Sequence, residues 1–147
     1  MRRIIQSIII VIFSVIVIGC NLKNNYVVEQ KSDNKETNSM RAIINKKEYE
    51  IILENNDTTN RFLDLLPLEL NMKELNGNEK YIYLDFSLPT NPINPKEINI
   101  GDIMLYGDNC LVVFYKSFNT SYSYTKIGHI NALPELGNDS LLIRFEK

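Results

Sequence analysis

Three groups of residues have the types and spacing to do chemistry. The first is aromatic: Phe114, Tyr115, Phe118, Tyr122 and Tyr124, with Ser117, Asn119, Thr120, Ser121 and Ser123 between them. Rings interleaved with hydroxyls and amides suit a small organic ligand or an extended peptide. If the stretch is extended, Tyr122 and Tyr124 share one face. The binding set expected is Tyr106, Phe114, Tyr115, Ser121, Tyr122, Tyr124 and His129. The rings would stack on the ligand, and the hydroxyls and the imidazole would orient it. The competing reading is core packing of the rings beside an exposed polar loop.

The second group is Cys110 and His129, the one Cys–His combination outside the N-terminal leader. A nucleophile needs a base within hydrogen-bond reach. Cys110 follows a turn and opens an apolar strand, the usual setting of a small buried hydrophobe. His129 lies between Gly128 and Ile130 and reads as a hydrogen-bonded structural residue. No catalytic residue is assigned. The third group is Asp102 and Asp108 with Asn109, where two carboxylates near a turn could hold a hard cation weakly. The glycine and terminal glutamate of an EF-type loop are missing, so turn stabilisation is the preferred role. No metal ligand and no cofactor are assigned.

The elements that must position these residues lie in one domain. The chain has 147 residues and a formal charge of −2, more negative still without Arg2 and Arg3. Residues 40–147 suffice for one compact domain and are too few for two. An acidic balance offers no electrostatic footprint for nucleic acid. Two cysteines and one histidine exclude a disulfide scaffold and a multi-Cys or multi-His metal cluster.

Short runs of alternating or β-branched residues separated by turn signals predict strands. They cover Met40–Asn45, Glu48–Glu54, Leu68–Met72, Tyr81–Phe86, Ile100–Tyr106, Cys110–Tyr115, Tyr124–Asn131 and Leu141–Phe145. Lys46-Lys47 is the expected first turn. Asn55–Thr59 is a helix-start signal, and Phe62, Leu63, Leu65 and Leu66 give an apolar face that Pro67 ends, so one short helix is expected over Thr58–Leu66. Ser87–Asn99 carries three prolines and reads as a stiff irregular loop, and Ser117–Tyr122 as a polar one. The fold class is mainly β, a barrel or sandwich.

Ahead of the domain, Met1-Arg2-Arg3 is basic and Ile4–Ile18 is apolar but for Gln6, Ser7 and Ser14. That is long for a signal-peptide core and short for a membrane span. Val17-Ile18-Gly19-Cys20 resembles the bacterial lipobox. The resemblance implies diacylglycerol on the Cys20 sulfur and cleavage before it, so residues 1–19 are a signal peptide. Two or three acyl chains at ~0.8 kcal/mol per CH₂ would anchor the protein to a membrane, with the domain outside the cytoplasm. Residues 20–39 hold the lipidated cysteine and a polar tether whose charges cancel. It is expected to be disordered, with an r.m.s. span of ~25 Å.

Gly101-Asp102-Ile103-Met104-Leu105-Tyr106, Leu111-Val112-Val113-Phe114-Tyr115 and Thr125-Lys126-Ile127-Gly128-His129-Ile130 together resemble the small bacterial cyclophilin-like family. Phe62-Leu63-Asp64-Leu65-Leu66-Pro67-Leu68 fits that family's short helix and following strand. The resemblance implies a closed barrel of about eight strands with a capping helix. Related domains occur joined to flavodoxin-like ones, which implies a flavodoxin-like neighbour. True cyclophilins use an arginine in a Phe-His-Arg run for prolyl isomerisation. Arg41, Arg61 and Arg144 have no such context here, and Trp is absent. The reading is therefore a membrane-anchored lipoprotein that binds a small ligand or peptide. An isomerase or redox-associated enzyme, and a structural envelope lipoprotein, are the alternatives.

Overall fold

The computed structural model describes residues 39–147. The expected signal peptide, the expected lipid site Cys20 and all of the expected tether but Ser39 lie outside the described residues.

The first hairpin joins β1 (Met40–Ile44) to β2 (Lys47–Leu53). Its two-residue turn is Asn45-Lys46, one position earlier than expected, with φ of 51° and 66°. Both central residues of such a turn need positive φ, and Asn tolerates it better than a second lysine would. Helix α1 (Asp57–Asp64) follows, with Asn56 as N-cap. Thr59 N–H donates to Asn56 Oδ1 at 2.8 Å, and Asn56 Nδ2 donates to the Lys126 carbonyl at 2.8 Å. The cap thus satisfies one orphan donor of the helix and ties the helix to the barrel wall. The helix starts one residue before its expected bound and ends two before it.

The remaining barrel strands are β3 (Leu68–Leu75), β4 (Glu79–Tyr83), β6 (Asp102–Tyr106), β7 (Cys110–Phe114), β9 (Thr125–Ile130) and β10 (Leu141–Glu146). With β1 and β2 they close an eight-stranded antiparallel barrel in the order β1-β10-β3-β4-β7-β6-β9-β2. Two short segments predicted as loops pair with each other instead: β5 (Glu97–Ile98) and β8 (Phe118–Asn119) form a small separate sheet. Ile93 also bridges Tyr124. The proline-rich segment is thereby laid across the outer wall. Thr58 Oγ1 donates to its Pro89 carbonyl, and Asn91 N–H donates to Thr125 Oγ1.

Strand alternation divides the apolar residues into two cores. Inward-facing Ile103, Leu105, Leu111, Val113 and Phe145 fill the barrel. Phe62 of α1 meets Phe145 edge-on at 5.7 Å and closes one end. On the outer wall, Met104, Val112, Phe114 and Tyr124 form a second core with Ile98, roofed by Phe118. This is why β7 reads as apolar on both faces: one face meets the barrel interior and the other meets the loop layer.

A cleft on the outer wall

Strand register builds the candidate site. β4 pairs with β7, setting Tyr83 opposite Cys110, Tyr81 opposite Val112 and Glu79 opposite Phe114. β7 pairs with β6, setting Cys110 opposite Tyr106 and Val112 opposite Met104. Because side chains alternate, Glu79, Tyr81 and Tyr83 all project from the outer face of β4. Over Cys110 and Val112 lies a cleft of about 330 Å³. One wall is the β4 row. The other is Tyr106, Phe118, Tyr122 and Tyr124. Leu75, Asn76 and Asn78 of the β3–β4 turn close the Glu79 end. From Glu79 to Tyr83 the trough is roughly 13 Å long at about 3.3 Å per residue.

The rings brace one another. Tyr106 meets Tyr122 edge-on at 6.0 Å and Tyr124 at a tilt at 5.6 Å, and Tyr81 meets Tyr83 edge-on at 6.0 Å. Such pairs hold ring orientation without filling the space between the walls. Tyr83 and Tyr122 are 66% and 61% exposed, so the mouth presents aromatic surface to solvent.

Glu79 is the one charged residue among those lining the cleft. Burial, with the Glu74 charge adding to it, pushes its carboxyl up to about 6. Burial also raises the Cys110 thiol and the Tyr124 phenol, and in both the Glu79 charge adds to the rise. Among the described residues, no cation stands within ion-pair distance of this carboxylate, and none lines the cleft. Asn78 Oδ1 is buried without a hydrogen-bond partner among the described residues.

Two other polar clusters flank this site. Lys80 is fully buried inside the barrel, at the end away from α1. Its Nζ donates to Glu74 Oε2 at 2.6 Å, to the Asp139 carbonyl at 2.8 Å and to the Gly137 carbonyl, and it lies 5.1 Å from the centroid of the Tyr115 ring. Tyr115 OH donates to the same Glu74 oxygen at 2.7 Å. Burial works to raise the Glu74 carboxyl. The hydrogen bonds from Lys80, Tyr115 and the Gly77 N–H outweigh it and hold the carboxyl below its ordinary value. Burial first, and then the Glu74 bond, push Tyr115 up to about 12. This network joins the 137–139 loop to the barrel wall.

The second cluster lies between β6 and β9. Buried Asp102 accepts from Asn99 N–H at 2.9 Å. It also faces His129 Nδ1 at 3.2 Å and Lys126 Nζ at 3.3 Å. Gly101 makes the approach feasible: its φ is +96°, and a Cβ there would stand 2.4 Å from the Ile130 carbonyl oxygen.

The structure separates the seven residues expected to bind. Tyr106, Tyr122 and Tyr124 line the cleft. Phe114 lies beneath it, fully buried against Phe118 and Tyr124. Tyr115 faces the opposite way, into the barrel, because it follows Phe114 on an alternating strand. Ser121 is exposed and uses its carbonyl to accept from Asn94 Nδ2. His129 sits on Asp102, one strand further round. Cys110 and His129 are not partners: Cys110 is a buried free thiol in the cleft floor beside Tyr83. Asp102 opens β6 and Asp108 lies in the turn after its far end, where it accepts from Ser87 Oγ. Arg41, Arg61 and Arg144 pair with Glu146 or Asp64 and do not line the cleft.

Sequence reasoning missed Glu79, Tyr81 and Tyr83. The signal was their period-2 spacing at the start of a strand, which puts two phenols and a carboxylate on one face. Identifying that face as the outer one needed the β4–β7 register.

A sequence profile described as the cyclophilin-like family matches residues 42–146. Searches of curated proteins and of solved structures return no match. The matched span begins in β1, ends in β10 and takes in every strand of the closed barrel, so the chain belongs to the cyclophilin-like family.

Proposed function

We propose that this chain is a membrane-anchored lipoprotein whose cyclophilin-like domain binds a small organic ligand in the outer-wall cleft. The observation that carries the reading is the trough between β4 and the Tyr106–Tyr122–Tyr124 group. Its volume of about 330 Å³ falls at the lower end of small-molecule sites. Its walls are rings, its floor is apolar and its polar groups are few, which is the usual composition of such a site. The anchor rests on the lipobox-like Val17–Cys20 and the basic, apolar leader before it.

Thermal-shift screening of the full chain against flavins, small metabolites and proline-containing peptides tests the binding. A ligand should raise the melting temperature of the parent and fail to do so in Tyr106→Ala, which removes the ring that braces both Tyr122 and Tyr124. No shift with any compound would count against the reading. Cys20→Ser should abolish membrane retention; unchanged retention would sink the anchor.

A further inference from the structure

We propose that the cleft selects a small organic ammonium ion, with its charged N–H group on Glu79 and an apolar or aromatic body along the tyrosine walls. This rests on the cleft being a binding site, and it names the ligand's charge and shape.

Three observations converge. The trough has one charged lining residue, the Glu79 carboxylate, at one end, and neither lysine nor arginine lines it. No cation stands within ion-pair distance of Glu79 among the described residues, whereas Glu74, which lies opposite Lys80 in the β3–β4 pair, is neutralised by it. A half-buried carboxylate without a counterion is costly, and a ligand cation would relieve that cost. The walls are also electron-rich. Five of the eight tyrosines in the chain line the cleft, and the faces of phenol rings attract ammonium groups. An anionic ligand would meet repulsion from Glu79 with no donor side chain of positive charge to offset it. A neutral ligand would leave the carboxylate as unbalanced as before. The length of the trough adds a shape requirement. A cation at Glu79 leaves room toward Tyr83 and Tyr106 for a ring or short chain over Cys110 and Val112.

Three probes with one body and three charges test this: 2-phenylethylammonium, 2-phenylethanol and phenylacetate. Each is titrated calorimetrically into the full chain in a non-ionic detergent, at a pH where Glu79 is ionised. The ammonium should bind roughly ten-fold or more tightly than the alcohol, the effect of one charge-assisted hydrogen bond. The carboxylate should bind most weakly. Glu79→Gln keeps the shape of the side chain and should bring the ammonium down to the level of the alcohol. The inference is overturned if the alcohol matches the ammonium, or if Glu79→Gln keeps the preference. In either case the cleft reading survives as long as Tyr106→Ala weakens the alcohol. Absence of heat with all three probes would overturn both.

Discussion

Glu79→Gln should stabilise the unliganded protein at neutral pH and leave it unchanged in acid. The Glu79 carboxyl is raised from 4.5 to about 6 by burial and by the Glu74 charge. The folded state thus holds this proton more tightly than the unfolded chain does. The stability that Glu79 contributes is complete below pH 4.5 and is lost as pH rises through about 6. A rise of 1.5 units corresponds to about 2 kcal/mol at 1.36 kcal/mol per unit. Glu79 is only partly buried, so solvent screening reduces this to about 1 kcal/mol. Glutamine never ionises and does not pay this electrostatic penalty. For a domain of this size about 1 kcal/mol is roughly 4 °C in melting temperature. Melting the parent and Glu79→Gln in parallel between pH 4.5 and 8 should give curves that meet in acid and separate by about that amount at neutral pH. Glu74 and Glu146 shift the other way: their lowered values give stability above the unfolded value that is lost as pH falls through the folded one. They are common to both proteins and cancel in the difference. Parallel curves across the range would refute the assignment of a desolvated, unpaired carboxylate to the cleft.

Other expectations concern the parts that hold the cleft in place. Lys80→Met should cost about 3–5 kcal/mol in urea unfolding, because it leaves the Glu74 carboxylate without its cation and two carbonyls without their donor. Adding Glu74→Gln should recover part of that loss, whereas strict additivity would argue against the pairing. Gly101→Ala should cost about 1–3 kcal/mol, since it combines a disfavoured φ with a Cβ pressed on the Ile130 carbonyl; a neutral result would contradict the geometry. Asn56→Ala should cost roughly 1 kcal/mol or somewhat more, as it removes both the cap of α1 and the bond to the Lys126 carbonyl.

The barrel was readable because its strands announce themselves locally. Met40–Ile44, Cys110–Phe114 and Leu141–Glu146 are apolar or β-branched runs bounded by turn residues, and Asn56 and Pro67 bracket the helix region. Pairing across long sequence separations was not readable. β5 and β8 are two residues each, too short for any periodicity, and exist because the Pro-rich segment and the 116–124 segment meet on the outer wall. The same limit governed the site. Tyr122 and Tyr124 stand out by the local density of aromatic and hydroxyl residues. The aromatic cluster takes in Tyr115 together with Phe114, although neighbours on a strand face opposite ways. Glu79 shares the period-2 row of Tyr81 and Tyr83, but which side of the barrel wall that row occupies is decided by the β4–β7 register. The burial of Lys80 was hidden for a similar reason: its three acceptors come from residues 74, 137 and 139.

The most direct test of the account is amide chemical-shift mapping of 2-phenylethylammonium on the isotope-labelled full chain. The cleft predicts perturbations confined to Glu79, Tyr81, Tyr83, Tyr106, Cys110 and the 122–124 segment, saturating with ligand and lost in Glu79→Gln. Residues Lys116 and 133–138 border a separate hollow of about 660 Å³. Perturbations mapping there, or scattered over the barrel without saturation, would contradict the account.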